Sequence, residues 1–279
     1  MIRRAVRGFT MIELLIALFL SGIFGAIVTK ILVTTSRFYG KDSAQRNARQ
    51  VARGAFGLLE SELRMIETKN GVISADSLTL VVRVPYAFGI LCTTGGSVAT
   101  ASLLPMDSLA FAGAGFSGFG WRDSTTGLYT AVESGATTGT GTASVCTGQS
   151  ITTLTGGKVV TLSPAPAATV TAGSAVYLYQ RVTYRFASSS VLPGRTALWR
   201  DVPSRALSEE LVTPFDATAR FRFYVLNVDT AQNAAPSTLG NIRGIELVLN
   251  GASEKVPLGR AVPATAKLTT AVFFRNRVD

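Results

Sequence analysis

The chain has 279 residues, a hydrophobic content of 47% and a formal net charge of +10 at pH 7. It contains no histidine, which excludes every mechanism that needs an imidazole as a base, a proton shuttle or a metal ligand. Its two cysteines cannot supply a four-cysteine zinc site, and without histidine no mixed site is available either. We therefore expect no catalytic residues, no bound metal and no cofactor.

The positive charge is concentrated near the N-terminus. Residues 1–8 carry three arginines and no acid, and residues 9–66 carry seven basic residues against four acids. Together these segments account for +6 of the net +10, so the rest of the chain is only mildly basic. The basic character is therefore largely a property of the N-terminal segment rather than a sign of nucleic-acid binding.

The first predicted element is an apolar helix over residues 9–29, in which Glu13 is the one charged residue. A run of 21 residues has about the length needed to cross a bilayer as a helix. A secretory signal peptide would have a shorter apolar run and a small-x-small cleavage site, whereas Lys30 and Arg37 follow here. The segment is therefore expected to remain in the mature protein as a transmembrane helix.

The residues ahead of the apolar run form a short basic leader, MIRRAVRG, which ends in Gly8 and is followed directly by FTMIELLIAL. This junction resembles the class III signal of type IV prepilins and pseudopilins. The resemblance implies that a prepilin peptidase removes residues 1–8 by cutting between Gly8 and Phe9, and then methylates the new amine of Phe9. It also implies a single insertion in the inner membrane with a periplasmic head, followed by entry into a pilus at the cell surface.

Glu13 is a lone carboxylate within the apolar run. An ionised side chain at that depth costs roughly 2.5 to 3.5 kcal/mol on insertion scales, so it requires a partner. In the family this carboxylate pairs with the N-terminal amine of the same subunit or of a neighbour, which recruits the subunit into the fibre. The alternative is a glutamate that is tolerated near the membrane edge.

Small residues recur every four positions along the same span, at Ala17, Ser21 and Gly25, with Gly22 beside them. Such a stripe lets helices approach closely in lipid, so we expect these positions to pack against other minor and major pilins. Glycine and alanine are also common in lone membrane helices, which leaves that simpler interpretation open.

An amphipathic pattern continues the helix beyond the span, over residues 37–66. One helix over residues 9–66 would be roughly 87 Å long at 1.5 Å per residue. Gly54 and Gly57 are unfavourable in a helix interior, so they are expected to mark close packing of a strand or a neighbouring subunit. The positions on the apolar face are Ala44, Ala48, Val51, Ala52, Ala55, Leu58, Leu59, Leu63 and Ile66.

The remainder, residues 71–279, is predicted to be a β-rich head, because β-branched and aromatic residues cluster in short runs between turn residues. In one run Phe221 and Phe223 alternate with polar residues, which is the pattern of a half-buried strand. The fold class is therefore α+β: a long N-terminal helix, membrane-spanning in its first half, packed on a mainly antiparallel sheet. The predicted strands cover residues 77–84, 175–186, 218–228, 242–250 and 267–275.

Residues 92–157 differ from the rest of the head in being rich in glycine, threonine, serine and alanine. This composition predicts loops and weak strands, so we interpret the segment as an insertion on the head. Cys92 and Cys146 both lie within it. Two cysteines in a domain expected outside the cytoplasm favour a disulfide that closes the insertion, with two free thiols as the alternative. Any ligand of the head is expected to bind here.

Two further motifs suggest a dinucleotide site and a cation site, but each has a simpler structural explanation. Residues 113–118 match G-x-G-x-x-G, but a turn-like sequence follows where a dinucleotide site needs a helix. The adjacent acids Glu209 and Glu210 could bind a cation, but such pairs are typical of a solvated turn. We expect neither motif to form a binding site.

A basic strand face remains as a candidate DNA contact. Arg220, Arg222 and Tyr224 alternate on one side of a predicted strand, where they could meet phosphates and a stacked base. The ordinary interpretation is an outward sheet face that nearby acids such as Asp216 and Asp229 balance. We favour that interpretation.

The C-terminal third carries a second resemblance, to minor pilins of the PilW kind and, more distantly, to the GspJ pseudopilins of type II secretion. Together the two resemblances imply a non-enzymatic minor pilin in the tip or priming complex of a type IV pilus. Its partners would be the inner membrane, a prepilin peptidase and other pilins. The alternatives are a type II secretion pseudopilin and a pilus-borne adhesin or DNA-binding module. The second resemblance rests on residues 184–186, 197–200, 209–212, 220–226 and 272–276.

Overall fold

A computed structural model describes residues 10–94, 96–123, 127, 129–167 and 169–274 of the chain. Within these residues one long helix precedes a thirteen-stranded antiparallel sheet, which confirms the predicted α+β class. The helices are α1 Met11–Leu63, α2 Pro105–Gly113 and α3 Ala143–Gly148. The strands are β1 Val72–Ala75, β2 Thr79–Thr93, β3 Ala99–Leu103, β4 Gly118–Arg122, β5 Tyr129–Val132, β6 Thr137–Thr140, β7 Lys158–Ser163, β8 Ala175–Ser188, β9 Thr196–Val202, β10 Leu207–Phe215, β11 Arg220–Val225, β12 Ile242–Ala252 and β13 Thr265–Phe273.

Helix α1 has two halves with opposite environments. Residues 10–41 are all exposed, whereas the apolar face of the second half is buried against the head. The predicted amphipathic face is confirmed at Ala48, Ala52, Leu59 and Leu63, which are almost fully buried. Leu58 is the exception, because its side chain is 47% exposed. The helix ends at Leu63, three residues before the predicted end.

The sheet runs in the order β11-β12-β10-β9-β8-β2-β3-β7-β6, with β1 beside β2, β13 beside β12, and β4 paired to both β8 and β5. Helix α1 packs across β10, β12 and β13. The five predicted strands correspond to parts of β2, β8, β11, β12 and β13, so the prediction of strands is confirmed. Phe221 and Phe223 are fully buried beneath the helix, as their alternation predicted.

A close approach between backbone atoms fixes α1 on the sheet. Gly251 in β12 faces the helix so tightly that a Cβ atom there would overlap the carbonyl oxygen of Ala48 and approach the Ala52 nitrogen to 3.2 Å. Gly54 and Gly57 were expected to mark close packing of a strand or of a neighbouring subunit, and among the described residues no strand packs against either of them. Both are exposed, and a Cβ at either would meet nothing within 4 Å. The close contact uses small residues of the helix and the glycine of the strand instead.

Two glycine substitutions therefore have opposite expected effects. Gly251→Ala is expected to lower the free energy of unfolding by about 1 to 3 kcal/mol, because the added methyl forces the helix away from the sheet. Gly54→Ala is expected to raise it by up to about 1 kcal/mol, because alanine is the better helix former and the space is open. Thermal unfolding of the two purified variants in detergent measures both. Equal effects of the two substitutions would contradict this packing.

A charged contact also joins α1 to the head. The Glu62 carboxylate lies 3.2 Å from Nη2 of Arg200 and accepts a hydrogen bond from Nε of the same guanidinium at 3.3 Å. The Tyr184 hydroxyl donates to it as well. Burial raises the pKa of the Glu62 carboxyl, and the charge and hydrogen bond of Arg200 oppose that rise. The arginine therefore makes it less costly to keep this charge at the helix–sheet interface.

Loss of Arg200 is expected to make stability more sensitive to pH. A carboxyl whose pKa is raised on folding binds its proton more tightly in the folded state, so stability falls as pH rises from 4.5 toward the folded pKa. Arg200→Ala should raise that pKa further and destabilise the chain by about 1 to 3 kcal/mol above this range, and less below it. The double variant with Glu62→Gln should lose the added pH dependence. Urea unfolding at several pH values tests this, and a parallel loss at all pH values would contradict it.

Residues 92–157 contain more regular structure than their composition predicted. They include four strands, β3 to β6, where loops and weak strands were expected, and the two short helices α2 and α3, which were not expected. Phe119 and Trp121 of β4 pack with Val176 and Leu178 of β8 in a second core, separate from the one beneath α1. The segment therefore extends the same sheet. Glycine-rich strands were underestimated because burial in this second core, rather than local propensity, stabilises them.

Candidate functional site

The candidate site at the start of α1 is built from Thr10 and Glu13. The Glu13 carboxylate accepts hydrogen bonds from the Thr10 backbone N–H and from its hydroxyl, both at 2.9 Å. The Glu13 N–H donates in return to the Thr10 hydroxyl at 3.3 Å. This is a capping box, and it folds the carboxylate back toward the first residue of the helix. Gly8 and Phe9 lie outside the described residues.

Thr10 is a site residue that sequence reasoning missed. The pattern Thr-x-x-Glu at the start of an apolar run is the signal of a capping box, and it could have identified this contact. The capping box fixes the position of the Glu13 carboxylate. The carboxylate lies beside the backbone N–H of Thr10, the residue that directly follows Phe9 in the chain. A positive charge at this end would meet a carboxylate already oriented toward it.

The predicted packing stripe lies on the exposed half of α1. Ala17, Ser21, Gly22 and Gly25 are all exposed, and a Cβ at either glycine would meet nothing within 4 Å. Among the described residues α1 is the one helix that is long and apolar enough to cross a membrane, and no part of its apolar window is buried against the head. The stripe is therefore available to a partner, and the partner itself stays a prediction.

The predicted disulfide is present in the head. Cys92 in β2 is bonded to Cys146 in α3, with the two Cα atoms 4.7 Å apart. Both cysteines are fully buried, and together with Val159 and Ile151 they form a small apolar cluster. The bond ties α3 and the loop that follows it to the sheet, across a sequence separation of 54.

The basic face of β11 is neutralised inside the chain. Arg222 donates from Nη1 to the Glu246 carboxylate at 2.5 Å and from Nη2 to the Ala231 carbonyl at 2.6 Å. The Tyr224 hydroxyl donates to the same carboxylate at 3.2 Å. Glu246, rather than the expected Asp216 or Asp229, balances this face because it lies opposite Arg222 in the β11–β12 register. Of the predicted DNA-facing cations, only Arg220 remains exposed without such a partner among the described residues.

The other two motifs have structural roles. Gly113 ends α2 and Gly118 begins β4, so no helix opens at the G-x-G-x-x-G sequence. Glu210 accepts hydrogen bonds from the Ser189 hydroxyl at 2.5 Å and from the Ser190 N–H at 2.7 Å, which closes the turn between β8 and β9. Across the described parts of the chain, no three His, Cys, Asp or Glu side chains are grouped closely enough to hold a metal ion.

Comparison with protein families identifies the N-terminal segment. Residues 3–29 match the family described as the prokaryotic N-terminal methylation motif, and the match includes the Gly8–Phe9 junction and Glu13. Comparison with curated proteins and with solved structures finds no match. Residues 3–29 thus carry the N-terminal methylation motif, which is the class III signal peptide of type IV pilins, at the start of a long apolar helix.

Proposed function

We propose that the chain is a minor pilin: a non-enzymatic structural subunit of the tip or priming complex of a type IV pilus. The observation that carries the proposal is the methylation motif joined to an α1 in which every residue from Met11 to Lys41 is exposed. Such a surface requires either lipid or neighbouring helices around it. A pilin uses both in succession.

The proposed sequence of events begins in the inner membrane. A prepilin peptidase removes residues 1–8 between Gly8 and Phe9, and methylates the amine of Phe9. The subunit then lies with residues 9–29 in the bilayer and its head in the periplasm. On assembly, lipid around α1 is replaced by the helices of other pilins, and the stripe of Ala17, Ser21, Gly22 and Gly25 permits close approach.

Glu13 has the recruiting role in this proposal. Its carboxylate is oriented toward the first residue of the helix by the hydrogen bonds from Thr10. The methylated amine of Phe9 on a neighbouring subunit carries the opposite charge. Pairing the two in a low-dielectric environment is worth much more than in water, because neither charge then remains alone in lipid.

The size of the head supports an accessory role. Removal of the leader would leave 271 of the 279 residues, and most of these belong to the head rather than to α1. A bulk subunit needs a small head that repeats at close spacing along a fibre. The second core over residues 92–157 instead enlarges one side of the head, which suits a subunit present in few copies.

The test is a strain in which the gene is deleted, examined for surface pili and for secreted proteins in the same culture. We expect loss of pili with secretion intact, and restoration of pili by the wild-type gene. Retained pili with failed secretion would replace this proposal by a type II secretion pseudopilin. Retention of both would contradict a priming role and would redirect attention to residues 92–157 as a binding surface.

A further inference from the structure

The connection between β12 and β13, residues 253–264, lies along α1 just beyond its apolar span. Leu258 and Gly259 line a cleft with helix residues from Leu32 to Arg37. A Cβ at Gly259 would lie 3.8 Å from Cζ of Arg37, so the loop and the helix are in van der Waals contact range there. Farther along the helix, Arg260 and Val262 line a second cleft with Lys41 and Gln45. We name residues 253–264 the membrane-proximal loop.

The depth of this loop follows from helix geometry. Leu32 to Arg37 come three to eight residues after position 29, which is roughly 5 to 12 Å along the helix axis at 1.5 Å per residue. The polar layer on each side of a bilayer is about 5 to 8 Å thick. When residues 9–29 fill the hydrocarbon core, Leu258 and Gly259 therefore lie in the outer part of the headgroup layer or just beyond it. Arg260 and Val262, beside Lys41 and Gln45, lie farther out, roughly 18 Å or more beyond position 29 along the helix axis.

The loop has the side chains of a membrane contact. Leu258 is 69% exposed and Val262 is 67% exposed, although both belong to a turn of an otherwise well-packed sheet. Lys255 and Arg260 flank them in the same loop, and Glu254 is the acid among these exposed residues. Apolar side chains set among cations are typical of segments that lie in the interface of an anionic bilayer.

The adjacent part of α1 adds charge of the same sign. Lys30, Arg37 and Lys41 are exposed and, within the described residues, form no ion pair. Asp42 does not neutralise them, because its carboxylate is paired at 2.8 Å with Arg46. The helix and the loop thus present five exposed cations on the same side of the apolar span, spread over roughly 16 Å of the helix axis between Lys30 and Lys41, with exposed leucine and valine side chains among them.

We propose that the membrane-proximal loop is a second membrane contact, which docks the head on an anionic phospholipid surface while α1 is inserted. The inference rests on insertion of α1 in a bilayer. Its consequence for the proposed function is that an unassembled subunit would be held in one orientation on the membrane. That contact would have to be released when the subunit leaves for the fibre.

The test is fluorescence quenching of the full chain in vesicles, with the Cys92–Cys146 disulfide kept oxidised. Single cysteines carry a polarity-sensitive fluorophore at Ala261 in the loop, at Phe19 in the span and at Met106 on the distant α2. The vesicles contain phosphatidylcholine with or without phosphatidylglycerol, plus lipids that carry a nitroxide quencher either on the headgroup or, in a parallel set of vesicles, on the acyl chain. Position 261 is exposed, so labelling it leaves Leu258 and Val262 in place.

We expect headgroup nitroxides to quench the probe at position 261 at least threefold more than the probe at 106 in vesicles with phosphatidylglycerol. The variant Lys255→Glu with Arg260→Glu should reduce this quenching to the level of position 106, while quenching by acyl-chain nitroxides at position 19 stays unchanged. Unchanged quenching at position 19 also shows that α1 of the variant inserts in the bilayer as that of the wild type does.

Three results would overturn the proposal. Equal quenching at positions 261 and 106, with position 19 still quenched, would mean that the loop stays in water although α1 is inserted. Quenching at 261 that depends on protein density rather than on lipid charge would assign the loop to a contact with a second copy. Absence of quenching at position 19 would show that α1 does not insert in the bilayer. The proposed function would then lose its basis as well.

Discussion

Replacing Glu13 by alanine is expected to abolish incorporation of the chain into fibres while leaving removal of residues 1–8 unchanged. The carboxylate is the one charge in the apolar run, and its pairing with a neighbour's amine is the proposed recruiting contact. Alanine removes that contact. It also removes the roughly 2.5 to 3.5 kcal/mol cost of the unpaired charge, so membrane insertion should improve if anything. Immunoblots of sheared fibres and of membranes measure the two steps separately.

Two further variants separate charge from helix capping. Glu13→Gln keeps an oxygen that can accept from Thr10 but has no charge, and we expect it to fail in assembly as alanine does. Glu60→Ala removes a half-buried carboxylate from the second half of the same helix, where it pairs with Arg64, and should assemble normally. Normal incorporation of Glu13→Gln would show that the charge is not used, and the recruiting role would be wrong.

Replacing both Cys92 and Cys146 by serine is expected to lower the free energy of unfolding by about 4 kcal/mol, by the chain-entropy relation for a loop closed across a sequence separation of 54. The loss should be confined to one side of the head. Both sulfurs are buried in a small cluster with Val159, so serine also leaves polar atoms in an apolar environment. Urea unfolding of the full chain in detergent measures the total effect.

The location of this effect can be tested by hydrogen exchange. Amides of α3 and of residues 149–157 should exchange faster in the double serine variant and in the reduced wild type. Amides of β11 and β12, which belong to the core beneath α1, should be unchanged. Faster exchange throughout the sheet would mean that the two cores are a single cooperative unit, contrary to their separate packing.

Local patterns explain which parts of the fold were predictable. The exposed first half of α1 follows from an uninterrupted apolar run, and the half packed on the head follows from apolar residues that recur every three to four positions. Both patterns are local, because they involve residues within one or two turns of the same helix. The alternation at Phe221 and Phe223 likewise needs only its own strand. These signals do not depend on which other segment lies nearby, so the sequence predicts them well.

Contacts between distant segments explain the rest. Arg222 was assigned the wrong acids because Glu246 becomes its neighbour only through the β11–β12 register. Gly251 was overlooked, and Gly54 was overvalued, because the need for a glycine depends on what approaches it from another element. The strands of residues 92–157 were underestimated for the same reason, since a core shared with β8 stabilises them.

The most direct test of the central claim is the mass of the N-terminal peptide of the protein isolated from membranes of its native host. We predict a chain that begins at Phe9 with one methyl group on its amine, and a Gly8→Val variant that keeps Met1 and the whole leader. Gly22→Val, a matched change inside the span where the space is open, should be processed as the wild type is. A wild-type chain that retains residues 1–8, or a Gly8→Val chain of mature mass, would contradict assignment of the chain to the type IV pilin pathway.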